Sequence, residues 1–121
     1  MSACFDTNII VDFLNQRPQA LAEIANHDRV FISRIAWAEI LVGAKSDDEE
    51  AALENFLGFF EVVDTSAVIG RRAAQLRRQH HFKLPDALIY ATAQDLGVEL
   101  VTRNTRDFPS GTKGIRVPYT L

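Results

Sequence analysis

The sequence predicts an α/β fold, with a mostly parallel sheet covered by helices on both faces. Two observations carry this. Short apolar runs of strand type alternate with stretches of helical periodicity along the whole chain. The helical stretches also carry start and stop signals: Ser, Asp or Pro where they begin, and Gly or basic residues where they end. No repeat, low-complexity segment or Pro/Gly-rich linker interrupts the alternation, and 121 residues suit one domain over residues 1–121.

Residues 3–6 (ACFD) read as a short buried strand. Ile9, Ile10, Phe13 and Leu14 then recur at helical spacing. A second short helix follows Pro18 over 19–26, and VFIS at 30–33 reads as a strand. Ser33 is placed to cap a helix running to about Ala44. The stretch 46–59 opens with a serine and four acids, which suits a helix N-terminus. EVVD at 61–64 is a third strand, and 66–81 a helix ending in a basic cluster, with His80 and His81 at its C-terminal cap. Residues 84–97 have Pro near the start and Gly at the end, as helices do. ELVTR at 99–103 and GIRVP at 114–118 complete the strands.

Composition bounds the function. With 47% hydrophobic and 24% charged residues, this is an ordinary globular chain, and its apolar runs are far too short to span a membrane. No signal peptide is expected from the N-terminal residues. A single cysteine, Cys4, excludes an internal disulfide framework and points to a reducing cytoplasm. A net charge of −3 argues against purely electrostatic nucleic-acid binding. It leaves open an enzyme that reaches phosphate through a metal ion.

The acids sort by position. A helix packed between parallel strands runs opposite to them, so its N-terminus meets the edge where the strands end, and ligand sites lie at that edge. Asp6 ends the first strand, and Glu39 lies in the second turn of the helix after strand two. Asp86 lies in the first turn of the helix before strand four, and Asn104 and Asp107 follow that strand. Glu61, Glu99 and Asp95 belong to the opposite edge. The helical neighbours of Glu39 are Ile35, Ala36, Val42 and Gly43, all apolar or small, so Glu39 is expected to face inward. Asp12, beside Asn8, Asn15 and Gln16, is expected to be solvated. Ordinary roles remain open for the others: Asp6 as a helix cap, Asp86 as a favourable first-turn charge, Asp107 as a loop acid.

Several acids packed together repel, and a bound cation relieves them. The donors are all oxygens, which favours Mg²⁺, with Mn²⁺ as a substitute. His27, His80 and His81 are not spaced with a cysteine as zinc ligands would be. Carboxylate-held Mg²⁺ suits phosphodiester hydrolysis. No Walker A loop, G-x-G-x-x-G pattern or Ser-His-Asp order is present.

Four blocks, FDTNIIVDFL, ISRIAWAEILVGA, LPDALIYATA and LVTRNTRDF, together resemble the PIN-domain ribonucleases, specifically VapC-type toxins of bacterial toxin–antitoxin pairs, over essentially the whole chain. The resemblance implies a three-layer α/β/α fold whose parallel sheet of about five strands has the order 3-2-1-4-5. It places Asp6, Glu39 and Asp86 on the three acidic metal positions and Asp107 on the fourth. Asn104 stands where many relatives carry an acid, which bears on a second metal. Thr7 and Asn8 follow the D-T/S-N pattern, whose hydroxyl or amide would orient water. The order puts Asp64 at the sheet margin, as the cap of helix 66–81 rather than a ligand.

The expected activity is Mg²⁺-dependent endonucleolytic cleavage of RNA, with water as nucleophile. Arg103 and Arg106 flank the fourth acid and are the expected phosphate contacts; Arg71, Arg72, Arg77, Arg78 and Lys83 form a second basic stretch that could equally be a solvated face. The resemblance further implies a small VapB-type antitoxin whose tail carries a cation into the acidic site, and a homodimer. Candidate walls for that tail are Ile10, Phe13, Leu14, Ile40, Leu41, Phe56, Leu57 and Phe59. Two readings compete. A HAD-like or receiver-like phosphoryl carrier would use Asp6 as acceptor, but HAD enzymes want an acid where Asn8 stands. A catalytically dead PIN module would keep the fold and only bind the partner.

Overall fold

Residues Ser2–Phe5 form the central strand, β1, and the chain builds outward from it on both sides. The computed structural model describes residues 1–109 and 111–121. After β1 come α1 (Thr7–Leu14), α2 (Pro18–Ala25), β2 (Arg29–Ser33), α3 (Arg34–Val42) and α4 (Asp47–Leu57). Then follow β3 (Glu61–Val63), α5 (Ala67–His80), α6 (Leu84–Leu96), β4 (Glu99–Val101) and β5 (Ile115–Arg116). The five strands make one sheet in the order β3-β2-β1-β4-β5, and every pairing is parallel. This is the expected architecture and strand order.

Burial on both faces follows from the two-residue period of the strands. Ala3, Phe5, Val30, Ile32 and Val101 point to one face, where they pack with Ile9, Ile10, Ile24, Ile40, Leu57 and Phe60 of the first four helices and the turn after α4. Cys4, Phe31 and Leu100 point to the other, against Ile69, Leu76, Ile89 and Tyr90 of α5 and α6. The Cys4 thiol is fully buried and its pKa is pushed up to about 12, mainly by desolvation, so it is an inert packing group. No helix among the described residues is long and apolar enough to cross a membrane.

Helix starts follow side-chain chemistry. Ser33, Ser46 and Ser66 each accept a hydrogen bond from the backbone N–H three residues on, at 3.0–3.2 Å. Asp64 is therefore not the cap of α5. Its carboxylate pairs instead with the Arg34 guanidinium, brought beside it by the pairing of β2 with β3. α5 ends on Arg77, Arg78 and His80, with His81 closing it in the left-handed region at φ 59°, so the histidine pair does terminate the helix.

Three of the apolar side chains proposed as walls for a partner tail, Ile10, Ile40 and Leu57, are core residues. Phe13, Leu14, Leu41 and Phe56 are half-buried, and Phe59 is 60% exposed.

Candidate active site

The parallel register decides which residues meet at the carboxyl edge. Phe5 pairs with Val101, so the residues that follow, Asp6 and Thr102, emerge side by side at the middle of the sheet. The Asp6 N–H donates to the Val101 carbonyl at 2.9 Å, which carries the β1–β4 ladder one step past the strand. There Asp6 stops being strand and becomes the N-cap of α1: its Oδ1 accepts from the Thr7 N–H at 2.8 Å. Its Oδ2 accepts from the Thr102 hydroxyl at 2.7 Å and from the Asn8 amide at 3.4 Å. The carboxylate at the end of a buried strand is thus both cap and wall of a cleft.

That cleft has a volume of about 370 Å³ and is lined by Asp6, Thr7, Asn8, Val11, Glu39, Asp86, Arg103 and Asn104. Asp107 lines a second cavity instead, yet it lies near enough to the cleft for its charge to act on Asp86 and Asp6. Four carboxylates from four separate segments therefore approach one another. The electrostatics agree. Asp86 is pushed up to about 6, first by desolvation and then by the charges of Asp6, Asp107 and Glu39, with a hydrogen bond to Asp107 adding to them. Asp6 is also raised, chiefly by burial and in part by Glu39 and Asp107.

Neutral polar groups aim these acids. The Thr7 hydroxyl donates to Glu39 Oε1 at 2.6 Å and tethers α3 to the start of α1. Asn8 bridges Asp6 and Thr102, and its Oδ1 accepts from the Arg103 N–H at 3.3 Å. Asn104 holds Asp107 twice: its amide donates to Asp107 Oδ2 at 2.8 Å, and its Oδ1 accepts from the Asp107 N–H at 3.2 Å. Among the described residues, no three of His, Cys, Asp and Glu stand as a closed ligand set for an ion.

Two expectations need correction. Glu39 is exposed rather than inward-facing. Of its helical neighbours only Ala36 is buried, while Val42 is 84% exposed, so apolar neighbours along one helix did not signify a covered face. Asp12 is not solvated: it is only 2% exposed. Its carboxylate takes a two-pronged ion pair from Arg103, at 2.6 and 2.9 Å, and a hydrogen bond from the Tyr119 hydroxyl at 2.7 Å. Arg103 lines the cleft and is also the partner of Asp12, through its Nε and Nη2. Arg106 is exposed in the neighbouring cavity.

Thr102 is the residue the sequence reading missed. It is fully buried, donates to Asp6 and accepts from Asn8 and from the Asn104 N–H at 3.0 Å. A hydroxyl directly after a central strand, in a chain whose neighbouring strand ends on a carboxylate, was the available signal.

The raised acids make a pH prediction. A carboxyl whose folded pKa is raised destabilises the fold when ionised. For Asp86 that penalty is full above about 6 and fades as pH falls toward its ordinary 3.8. Asp12 and Glu23 run the other way. Arg103 and Arg116, respectively, hold them below the usual range, so their contribution is lost only in stronger acid. In chelator, urea melts should show the protein about 1 kcal/mol more stable near pH 5 than near pH 7.5, after discounting for screening at the half-exposed Asp86. Equal or lower stability near pH 5 would contradict the crowding of these acids.

Comparison with known proteins gives a consistent picture. A family model described as PIN domain matches residues 3–111. A Mycobacterium tuberculosis protein named Ribonuclease VapC19 is 37% identical over 113 residues, covering 86% of this chain and 90% of that one. A Shigella flexneri protein named tRNA(fMet)-specific endonuclease VapC is 32% identical over 114 residues, covering 85% and 86%. Among solved structures, a chain from a toxin–antitoxin complex of Klebsiella pneumoniae superposes with a TM-score of 0.90 at 40% identity, covering 98% of this chain and 99% of that one.

Proposed function

The chain belongs to the PIN-domain family, and on that premise we propose that it is a Mg²⁺-dependent endoribonuclease acting as the toxin of a type II toxin–antitoxin pair. The observation that supports the chemistry most directly is the approach of Asp6, Glu39, Asp86 and Asp107 at one edge of the sheet, close enough that their charges raise the pKa of Asp86. An all-oxygen, strongly negative donor set fits a hard divalent cation, Mg²⁺ or Mn²⁺.

Asp6, Glu39 and Asp86 would hold the ion, with Asp107 as a fourth oxygen donor. When bound, the ion supplies neutralisation of the acids, polarisation of the phosphate and a more acidic water. The chain's own residues do the positioning. Thr102 and Asn8 orient the Asp6 carboxylate from behind, Thr7 turns Glu39 toward the cleft, and Asn104 fixes Asp107. Water, not a ribose hydroxyl, attacks the phosphodiester, so no 2′,3′-cyclic phosphate forms on the way to the products.

A small VapB-type antitoxin inhibits the enzyme by placing a cationic side chain among the same acids, which satisfies them as the metal would. The protein acts in the cytoplasm, and a homodimer would draw on exposed apolar residues such as Val68 and Leu84. The deciding experiment incubates purified protein with transfer RNA and unstructured RNA, in Mg²⁺ and in excess chelator. Cleavage in Mg²⁺ that stops in chelator is expected; equal cleavage in both would exclude a metal-dependent centre.

Thr7 carries a further prediction. Thr7→Val removes the donor that aims Glu39, and loss of such an outer partner lowers metal affinity or activity by about 10- to 100-fold. The thermal midpoint should barely move, because the bond lies at the exposed rim. Wild-type Mn²⁺ affinity and activity in this variant would show that Glu39 needs no tether.

A further inference from the structure

Beside the acidic cleft, on the Asp107 side, lies a second cavity of about 380 Å³. Its walls include His80, His81, Phe82, Lys83 and Arg106, together with Asp107 itself. The turn between α5 and α6 that carries the first four is firmly held. Arg77 donates from Nη1 to the Phe82 carbonyl at 2.9 Å, and His81 adopts the left-handed conformation that closes α5. The Phe82 ring is buried against Tyr90 and Phe108, at centroid distances of 5.7 and 5.4 Å. Lys83 is the N-cap residue of α6, three residues before Asp86, so its position is fixed by the helix that supplies a site acid.

An RNA strand approaching four acids is repelled unless cations flank them. Arg103 does not meet that need, because Asp12 already neutralises it. Among the described residues, neither Lys83 nor Arg106 takes part in an ion pair. Both are exposed, and both line the same cavity as Asp107, the acid whose charge acts on Asp86 and Asp6. We propose that this cavity is a phosphate subsite for the RNA substrate. It seats a backbone phosphate next to the one that is cut, with Lys83 and Arg106 as its charged contacts and the imidazoles of His80 and His81 as hydrogen-bonding partners.

The subsite rests on the ribonuclease reading and deepens it. Its test uses the full chain and a fluorescein-labelled single-stranded RNA, with binding followed by anisotropy in chelator and cleavage followed in Mg²⁺. Lys83→Ala combined with Arg106→Ala should weaken binding at least about tenfold and flatten the salt dependence by roughly 0.7 for each phosphate no longer neutralised. In cleavage, KM should rise with kcat little changed. Arg71→Ala combined with Arg78→Ala, on the exposed face of α5, should change neither quantity. Unchanged affinity and salt slope in the Lys83/Arg106 pair, or equal losses in the two pairs, would overturn the subsite while wild-type cleavage left the ribonuclease reading standing. Wild-type protein that neither binds nor cuts RNA would overturn both.

Discussion

Asp6→Asn should lower the rate of RNA cleavage in Mg²⁺ by at least about a hundredfold while leaving the protein folded. Asp6 lies at the centre of the sheet edge, and its charge is felt by Asp86. Removing one of the negative groups that hold the ion forfeits several kcal/mol of transition-state stabilisation, and each 1.36 kcal/mol is about tenfold in rate. Stability should change by no more than about 1 kcal/mol, because two effects offset. Asparagine keeps an oxygen for the Thr7 N–H but turns an amide toward Thr102 and Asn8. Against that, the lost charge relieves the repulsion that raises Asp6 itself. Initial rates and urea melts of the same preparation separate the two quantities. Wild-type activity in Asp6→Asn would remove this cleft as the catalytic centre. Should that variant fail to fold, Asp86→Asn, in the first turn of α6, gives the same test without disturbing a helix cap.

Arg103→Ala should destabilise the fold by about 3 kcal/mol, lowering the thermal midpoint by roughly 10 °C. Asp12 is buried in α1, and Arg103 reaches it from the loop after β4 with two hydrogen bonds. Without that guanidinium, a desolvated carboxylate keeps only the Tyr119 hydroxyl and a longer, half-exposed contact with Arg17 at 3.7 Å. An uncompensated buried charge costs more than the pair contributed, which is why one-sided removal is severe. The loop that Arg103 anchors also carries Asn104 and Asp107, so activity should fall along with stability. Asp12→Asn combined with Arg103→Ala should recover part of the loss, since the orphaned charge is gone. The opposite pattern, unchanged stability with weaker, less salt-dependent RNA binding, would restore Arg103 as a phosphate contact.

The two networks behind these predictions were not equally visible in the residues. The gathering of the acids could be foreseen because it depends on direction alone. Where parallel strands end, the helices between them begin, so Asp6, Asp86 and Asp107 had to share an edge once the alternation was recognised. The Asp12–Arg103–Tyr119 cluster joins residues far apart in the chain and leaves no periodic trace. Glu39 and Asp12 were misjudged for one reason. Neighbours three and four residues away describe only the surface of their own helix, not what another segment lays over it.

Alternation, helix punctuation and the serine caps at Ser33 and Ser46 are local properties, legible residue by residue: which stretches form strands, where those two serines start their helices, and which edge receives the carboxylates. The partners of the charged groups were set by packing alone. Thr102 behind Asp6, Thr7 on Glu39, Arg34 on Asp64 and Arg103 on Asp12 arise where separate elements meet. A charge is stabilised by whatever lies within a few ångströms of it, and that depends on how layers pack rather than on neighbours along the chain.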